Sequence, residues 1–494
     1  MAKSHPEDIS RLCTALATKA SQDPGLPVPN PTTAYWQSEV HELANHQSAT
    51  LPATADIVII GSGITGVSTA YHLLQQQPTF AISILEARSL TSGATGRNGG
   101  HCKEVPYVDY PELKELHGRE GAGKIVKFRL AQLDALLELS ASLGSEASSA
   151  VVRRVDGLDV YYDQEVFDKM KEKLADYLAD FPDQKDTWLV FEGDDINEKF
   201  GTVNAVGCMT GPAGALWPYK VVGAVTSYLF NSRKYPNLTI ETHTPVESIS
   251  TTTSSASATH PVVVKTSRGE IHANYVIHCT NGHAGHLLPG LRGKLFPIRG
   301  QMTRQAAPAE FPRVGDRRSW ILHYAPGYDY ITQSPFSASG DIYIGGGLLK
   351  ALLSGNVTVE DADIGNVRDD LQSEEALKAL ETAIEERFRG GKGTRILDKW
   401  TGVMGFTVDE APIVGRVPDD ISGRRASREW VAAGFCGHGM AYCWLTGKAV
   451  AEMLLKGEDS VNEWFPTEEY ACSNQRLQRT TLHDSLLSFI ETVA

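Results

Sequence analysis

The apolar positions of the chain first condense at Asp56-Ile-Val-Ile-Ile60, an unbroken run that predicts a strand buried on both faces. Gly61-Ser-Gly-Ile-Thr-Gly66 follows at once. The pattern then becomes that of a helix from Val67 to Gln75, closed off by Pro78. A second strand, Phe80 to Leu85, ends at Glu86. Strand, glycine turn, helix and strand in this order predict a βαβ unit of the dinucleotide-binding kind.

Beyond it the pattern alternates between charged amphipathic stretches and short apolar ones. Lys124 to Leu143, Gln164 to Tyr177 and Glu374 to Arg389 read as helices. Leu158 to Tyr162, Val262 to Lys265 and Tyr275 to Cys279 read as strands, as do Gly300 to Thr303, Trp320 to His323, Tyr328 to Thr332 and Ile342 to Ile344. A last strand, Trp430 to Ala433, and a last helix, Met440 to Lys456, close the series. The interleaving predicts an α/β (α+β composite) fold with two discontinuous domains. Residues 55–105, 205–295 and 395–460 form a Rossmann-type domain; 106–204 and 296–394 form a second domain on a mostly antiparallel sheet. Residues 1–54 read as an extended N-terminal arm, which Trp36 packs onto the body, and 461–494 as a tail.

Charge and composition narrow the partners. The 494 residues carry 46 basic against 60 acidic side chains, a net charge of −14 without a long basic run, which argues against nucleic acid and anionic membranes. No apolar run approaches the ~18 residues of a spanning helix. The opening MAKSHPEDISRLC lacks the apolar core of a secretory signal, so a cytoplasmic protein is expected. None of the seven cysteines forms a CxxC pair, and reduced thiols follow. His41 and His46 imitate a zinc-protease helix, but at that spacing they stand ~140° apart around a helix and cannot share a metal. No metal is expected.

The chemistry starts at the glycine turn. Gly61, Gly63 and Gly66 stand in G-x-G-x-x-G register between strand and helix, where backbone N–H groups and the helix dipole meet a pyrophosphate. Glu86 lies 20 residues after Gly66, at the end of the second strand, where a carboxylate accepts from ribose hydroxyls and repels a 2′-phosphate. Ser92-Gly-Ala-Thr-Gly-Arg-Asn-Gly-Gly-His101 then offers a backbone with few side chains, able to lie against a planar ring.

With that run the sequence resembles the FAD-dependent D-amino-acid oxidase and glycine oxidase superfamily, in the branch that contains gamma-glutamylputrescine oxidases. Ala213-Gly-Ala-Leu-Trp-Pro-Tyr-Lys220, Pro297-Ile-Arg-Gly-Gln301, Trp400-Thr-Gly-Val-Met-Gly405, Pro412-Ile-Val-Gly415 and Gly434-Phe-Cys-Gly-His-Gly-Met440 extend the likeness over about residues 33–460. The resemblance implies FAD; some relatives attach it through a cysteine or histidine, but His101, Cys102 and Cys436 do not match that position, so non-covalent FAD is expected. Gly61, Ser62, Gly63, Ile64, Thr65 and Gly66 would face the pyrophosphate, and Glu86 the ribose, with Ala87 and Arg88 beside it. Ser92, Gly93, Arg97, Asn98, Gly99, Gly100 and His101 would line the isoalloxazine, and Val246 the adenine. Thr280, Asn281 and Gly282 would approach the cofactor, and Gly405, Gly437, His438, Gly439 and Met440 would hold the ring from the other end, at the start of the last helix.

The resemblance further implies oxidation of the CH–NH bond of a small amine or amino acid, with hydride passing to flavin N5 and O2 returning as hydrogen peroxide. His101, His438 and Tyr328 are the catalytic candidates, with Trp217, Tyr324 and Tyr330 also able to face the ring; Arg299 and Lys220 could grip a substrate carboxylate. Two other readings stand beside this one: a dehydrogenase serving a quinone or carrier protein, and a non-catalytic FAD-stabilised binding protein. Oligomeric state is left open.

Overall fold

The computed structural model describes residues 6–193, 195–252, 259–335, 340–426 and 428–491. Two sheets organise it. The first has eight strands, with Ile413–Arg416, Glu429–Ala433, Gly269–His278, Thr54–Ile60, Ile82–Leu85 and Leu238–Glu241 side by side in that order. From Glu429–Ala433 to Leu238–Glu241 every neighbouring pair is parallel. Thr54–Ile60 lies in the middle, its Ile57, Val58 and Ile59 at most 1% exposed, as an apolar run without alternation requires. The hairpin of Val246–Thr251 and Val262–Thr266 adds to the start of Gly269–His278.

The second sheet has nine strands and is antiparallel except where Arg318–His323 runs parallel to Arg153–Tyr161. Its order is Arg395–Thr407, Leu295–Ala306, Ile342–Gly346, Tyr328–Gln333, Arg318–His323, Arg153–Tyr161, Gly207–Ala215 and His101–Cys102, with Leu189–Glu192 on Gly207–Ala215. One face carries Leu158, Val160, Trp320, Leu322, Ile331 and Ile344 against the helix Glu374–Arg387. The other face carries Tyr330 and Thr332 against Gly99 of the loop that follows Ile82–Leu85.

Some elements depart from the sequence pattern. Gly207–Ala215 and Arg395–Thr407, grouped above with the nucleotide elements, pair in the antiparallel sheet; a chain position between two domains does not say which sheet offers the free edge. The arm is not all extended. Pro6–Ala20 is a helix whose Leu16 and Cys13 are fully buried against Leu482–Glu491 of the tail. Its stripe of Ile9, Leu12, Cys13, Leu16 and Ala20 was readable as helical period. Likewise Ile64–Gln76 starts three residues before the apolar period does, because Gly63 serves as its extended N-cap. The last helix begins at Cys443, after one turn of 3₁₀ helix at Gly439–Ala441, since Tyr442 leaves helical geometry with φ −136°.

Candidate functional site

Four parallel strands end side by side, and a motif follows each: Gly434 after Glu429–Ala433, Thr280 after Gly269–His278, Gly61 after Thr54–Ile60, and Glu86 after Ile82–Leu85. The carboxyl ends of parallel strands are where such sheets take ligands. At the glycine turn a Cβ on Gly66 would stand 2.1 Å from the Gly61 carbonyl oxygen, so only glycine lets the helix start this close to the strand. Ser62 donates to Glu86 Oε2 from its backbone nitrogen at 3.1 Å and its hydroxyl at 2.7 Å. Arg88 N donates to Glu86 Oε1 at 3.0 Å. The carboxylate is thus immobilised beside the turn before any ligand is present.

The loop that follows is held by its carbonyls. Trp400 Nε1 donates to Arg97 O at 2.7 Å, Trp36 Nε1 to Asn98 O, Thr332 Oγ1 to Gly99 O at 2.7 Å and Leu216 N to Gly100 O at 3.0 Å. Four successive carbonyls are thereby occupied by donors from the arm, the antiparallel sheet and the segment before the helix Pro218–Asn231. Gly99 lies against the sheet so closely that a Cβ there would meet the Tyr330 ring at 2.5 Å. At the helix start, Ile64 N donates to Thr95 Oγ1 at 3.1 Å, joining this loop to the glycine turn. Ser92 Oγ and Thr280 Oγ1 are buried without a protein partner.

Tyr328 is 49% exposed, yet burial among surrounding protein pushes its phenol pKa up, with Glu410 and Asp329 adding to the effect. His438 is exposed, yet burial lowers its pKa, with Arg129 adding to the effect. Glu410, exposed as well, has its carboxyl pushed up by burial and by Asp109 and Asp409. His101 Nε2 lies 2.9 Å from Ser319 Oγ, and burial, with Lys103 assisting, lowers the pKa of the ring to about 3.

Several expected roles are taken up inside the protein. The Arg88 guanidinium turns away from Glu86 and makes a two-pronged pair with Asp369 at 3.0 Å on both oxygens. Arg97 donates to Ser92 O and Thr401 O, both at 2.8 Å, so its side chain braces the loop. Asn281 Oδ1 accepts from Gly434 N at 3.0 Å, and Gly405 O accepts from Cys436 N at 2.8 Å, which ties three of the expected segments together. Gly282 packs on the Met404 carbonyl. Val246 is 3% exposed in the core under Leu85. Cys102 Sγ donates to Met440 O at 3.2 Å and packs Met440 inward. Tyr324 is the plain correction: it faces the back of the sheet, with Lys350 at 4.2 Å and Arg387 at 4.4 Å over its ring. Trp217 stacks on Tyr35 and donates to Trp36 O at 2.7 Å, so it packs the arm. Arg299 is bound to Asp363 at 2.5 Å and Lys220 to Glu39 at 2.9 Å, which removes both as carboxylate grips.

The pattern reading passed over Thr32, Gln37, Lys103, Asp159, His323, Asp369 and Glu410, while Trp36 packs the arm onto the body as expected. Gln37 Nε2 donates to Gly96 O at 3.0 Å, and Arg97 Nη1 donates to Thr32 Oγ1 at 3.2 Å. Lys103 Nζ is 2.6 Å from Asp159 Oδ2, with side-chain exposures of 2% and 0%. His323 Nε2 lies 3.2 Å from the other oxygen of Asp159. Asp159 carried a signal, since a carboxylate inside the apolar alternation of Leu158 to Tyr162 needs a buried partner. Among the described residues no group of three or more His, Cys, Asp or Glu could hold a metal, and no helix is long and apolar enough to cross a membrane.

A glycine turn and a glycine-rich loop at the ends of a parallel sheet, roofed by an antiparallel one, is the layout of a flavin-dependent oxidoreductase. The chain belongs to the FAD dependent oxidoreductase family, whose model matches residues 56–453. It is an enzyme of that family, with FAD as cofactor. It is similar to the gamma-glutamylputrescine oxidoreductase of Escherichia coli (strain K12), 23% identical over 441 residues that cover 86% of this chain and 89% of the relative. Among solved structures, glycine oxidase from Geobacillus kaustophilus superposes with a TM-score of 0.61 at 16% identity, covering 84% of this chain and 99% of its own. L-proline dehydrogenase from P. horikoshii gives 0.61 at 21% identity, with 84% and 98% covered. These likenesses establish the shared fold.

Proposed function

We propose that the enzyme oxidises the CH–NH bond of an amine with no carboxylate beside the reacting carbon, and that O2 accepts the electrons and leaves as hydrogen peroxide. The observation that carries the reading is the pairing of the buried cations in and around the glycine-rich loop and the antiparallel sheet. Lys103 is paired with Asp159, Arg97 lies 3.7 Å from Asp369, Arg129 is paired with Glu104 and Asp109, and Arg299 with Asp363. A substrate carboxylate would have to displace a resident one from a buried pair, which costs several kcal/mol. The E. coli relative is named for gamma-glutamylputrescine, and the structural relatives for glycine, L-proline and other amino acids.

The residues present fit FAD. Gly61–Gly66 make the cradle, Glu86 stands ready for the ribose, and the unpartnered Ser92 and Thr280 hydroxyls await polar groups. FAD, when bound, supplies a two-electron acceptor at its N5 atom. The protein's part is to fix the Arg97–Gly100 backbone against the antiparallel sheet, where the Tyr330 ring lies on Gly99, and so to orient the reactants. The amine loses a hydride from carbon and a proton from nitrogen to become an imine, which water hydrolyses. Burial pushes the thiols of Cys102, Cys279, Cys436 and Cys443 up to about 12, which disfavours a thiolate and supports non-covalent attachment. Cys102, Cys208, Cys279, Cys436, Cys443 and Cys472 form no disulfide, which supports a cytoplasmic setting.

The test is anaerobic titration of the yellow protein with simple amines and with α-amino acids, followed by air. Amines should bleach the flavin, and air should restore colour with release of peroxide. Bleaching by amino acids alone would overturn the substrate class, and colour that stays lost in air would move the enzyme to a different electron acceptor.

A further inference from the structure

We propose that a cavity on the parallel sheet, at the end remote from the glycine turn, is a second binding site, which takes a small flat aromatic ring bearing an anionic group. The cavity has a volume of about 320 Å³ and is lined by Tyr275, Arg416, Arg428, Trp430 and Leu454. The proposal is independent of what the enzyme oxidises.

The sheet explains why these residues meet. Arg416 stands opposite Trp430 in the antiparallel pair at the sheet edge, and Trp430 stands beside Ile277 in the next, parallel pair. Residues paired across neighbouring strands share a face, and Tyr275, two positions before Ile277, shares it too. Trp430 and Ile277 belong to the core that the helix Cys443–Lys456 covers. That helix stops at Gly457, whose φ of 95° favours glycine. Leu454, in its last turn, forms the helix side of the cavity, which therefore lies where the cover ends.

The two arginines call for an anion. Among the described residues the exposed Arg416 side chain makes no ion pair or hydrogen bond. The Arg428 guanidinium donates to Asn274 Oδ1, a neutral partner, and lies 5.9 Å from the centre of the Tyr275 ring. No carboxylate is among the lining residues, in a chain whose 60 acidic side chains outnumber its 46 basic ones. Arg88, Arg129, Arg299 and Arg476, by contrast, each hold a carboxylate. A guanidinium presents its N–H groups as a planar fork that matches a carboxylate or a phosphate.

The remaining walls call for a ring. Trp430 is 7% exposed, and Tyr275 and Leu454 are half-buried, so the cavity meets an aromatic and aliphatic floor. Aromatic side chains take a second ring by offset or edge-on stacking. The volume is at the small end of the ~300–1,000 Å³ of ligand pockets, which suits a ring with its anionic group and excludes a dinucleotide. Trp430 lies four residues, about 13 Å of strand, before Gly434. Leu454 lies eleven residues, about 16 Å of helix, after Cys443. The site thus touches the far ends of both elements that flank the loop Gly434–Met440 and is apart from the loop itself.

The experiment titrates the holoenzyme by calorimetry, with FAD saturating so that its adenine site is filled. The probes are AMP, a ring with a phosphate, and benzoate, a ring with a carboxylate. At least one should bind to a single site at millimolar concentration or below; AMP alone assigns the phosphate, and benzoate alone the carboxylate. Adenosine and benzamide keep the rings without the charge, and cyclohexanecarboxylate keeps the charge without the flat ring; all should bind at least about 10-fold more weakly. Arg416→Gln should weaken the bound probe about 10- to 100-fold, and Arg416→Lys should restore only part of that loss. The flavin spectrum should stay unchanged throughout. Absence of binding by both anions overturns the proposal, as does equal affinity in Arg416→Gln or equal binding of cyclohexanecarboxylate. A flavin spectral shift that survives Arg416→Gln places the probe at the flavin and overturns it as well. FAD content is the control for folding; if Arg416→Gln does not retain FAD, Arg428→Gln carries the same test.

Discussion

The Trp36 indole nitrogen donates to the backbone carbonyl of Asn98, so a residue of the N-terminal arm holds the glycine-rich loop in place. Its ring also packs on Tyr343 at 4.3 Å and lies edge-on to Trp400 at 6.4 Å, which brings arm, loop and antiparallel sheet to one point. Trp36→Phe keeps most of this packing and removes the donor. One net hydrogen bond is worth about 0.5–1.5 kcal/mol, so FAD should bind roughly 2- to 12-fold more weakly. Reconstitution of apoprotein with FAD measures it; unchanged affinity would free the loop from dependence on the arm.

Glu86 is held by Ser62 and Arg88 backbone donors and by the Ser62 hydroxyl. Glu86→Ala should therefore loosen the turn as well as lose the ribose contact. A hydrogen bond to a charged group is worth about 1.5–3 kcal/mol, so FAD affinity should fall about 10- to 100-fold. Equal FAD retention after dialysis would remove Glu86 from the ribose site.

Asp369 joins the loop to the second sheet's surroundings through Arg88, at 8% and 3% side-chain exposure. Asp369→Asn would leave two buried guanidiniums, those of Arg88 and Arg97, without their carboxylate. Loss of one partner of a buried pair costs about 3–5 kcal/mol. Denaturant unfolding of the holoenzyme should show a loss of that size, and a change under about 1 kcal/mol would mean that water replaces the pair.

Acid stability should depend on His101. Its folded pKa of about 3 lies below the unfolded value near 6.5, so below that value the unfolded chain binds a proton that the folded one does not. Stability is therefore unaffected above about pH 6.5 and falls as pH drops toward 3, by up to ~1.4 kcal/mol per pH unit for this one group. His101→Asn should lose less stability than the wild type between pH 6 and 4, about one proton less in slope. Parallel curves for the two proteins would contradict a neutral buried ring.

Local rules along the chain determined the glycine turn, the helix behind it, Glu86 at the next strand end and most strand positions. Gly61 to Glu86 is one continuous βαβ unit, and each of its parts constrains the next through the backbone. The family was legible for the same reason, since its glycine runs are local. The face of each strand was legible too: Tyr328 and Tyr330 share one, and the Asp329 carboxylate takes the other. Which strands lie side by side was not. His323 meets Asp159 across 164 positions only because Arg318–His323 runs parallel to Arg153–Tyr161, and Thr332 reaches Gly99 across 233. Alternation says which way a side chain points but carries no address for its partner. That choice is made when whole sheets pack and buried charges and carbonyls must each find a neighbour.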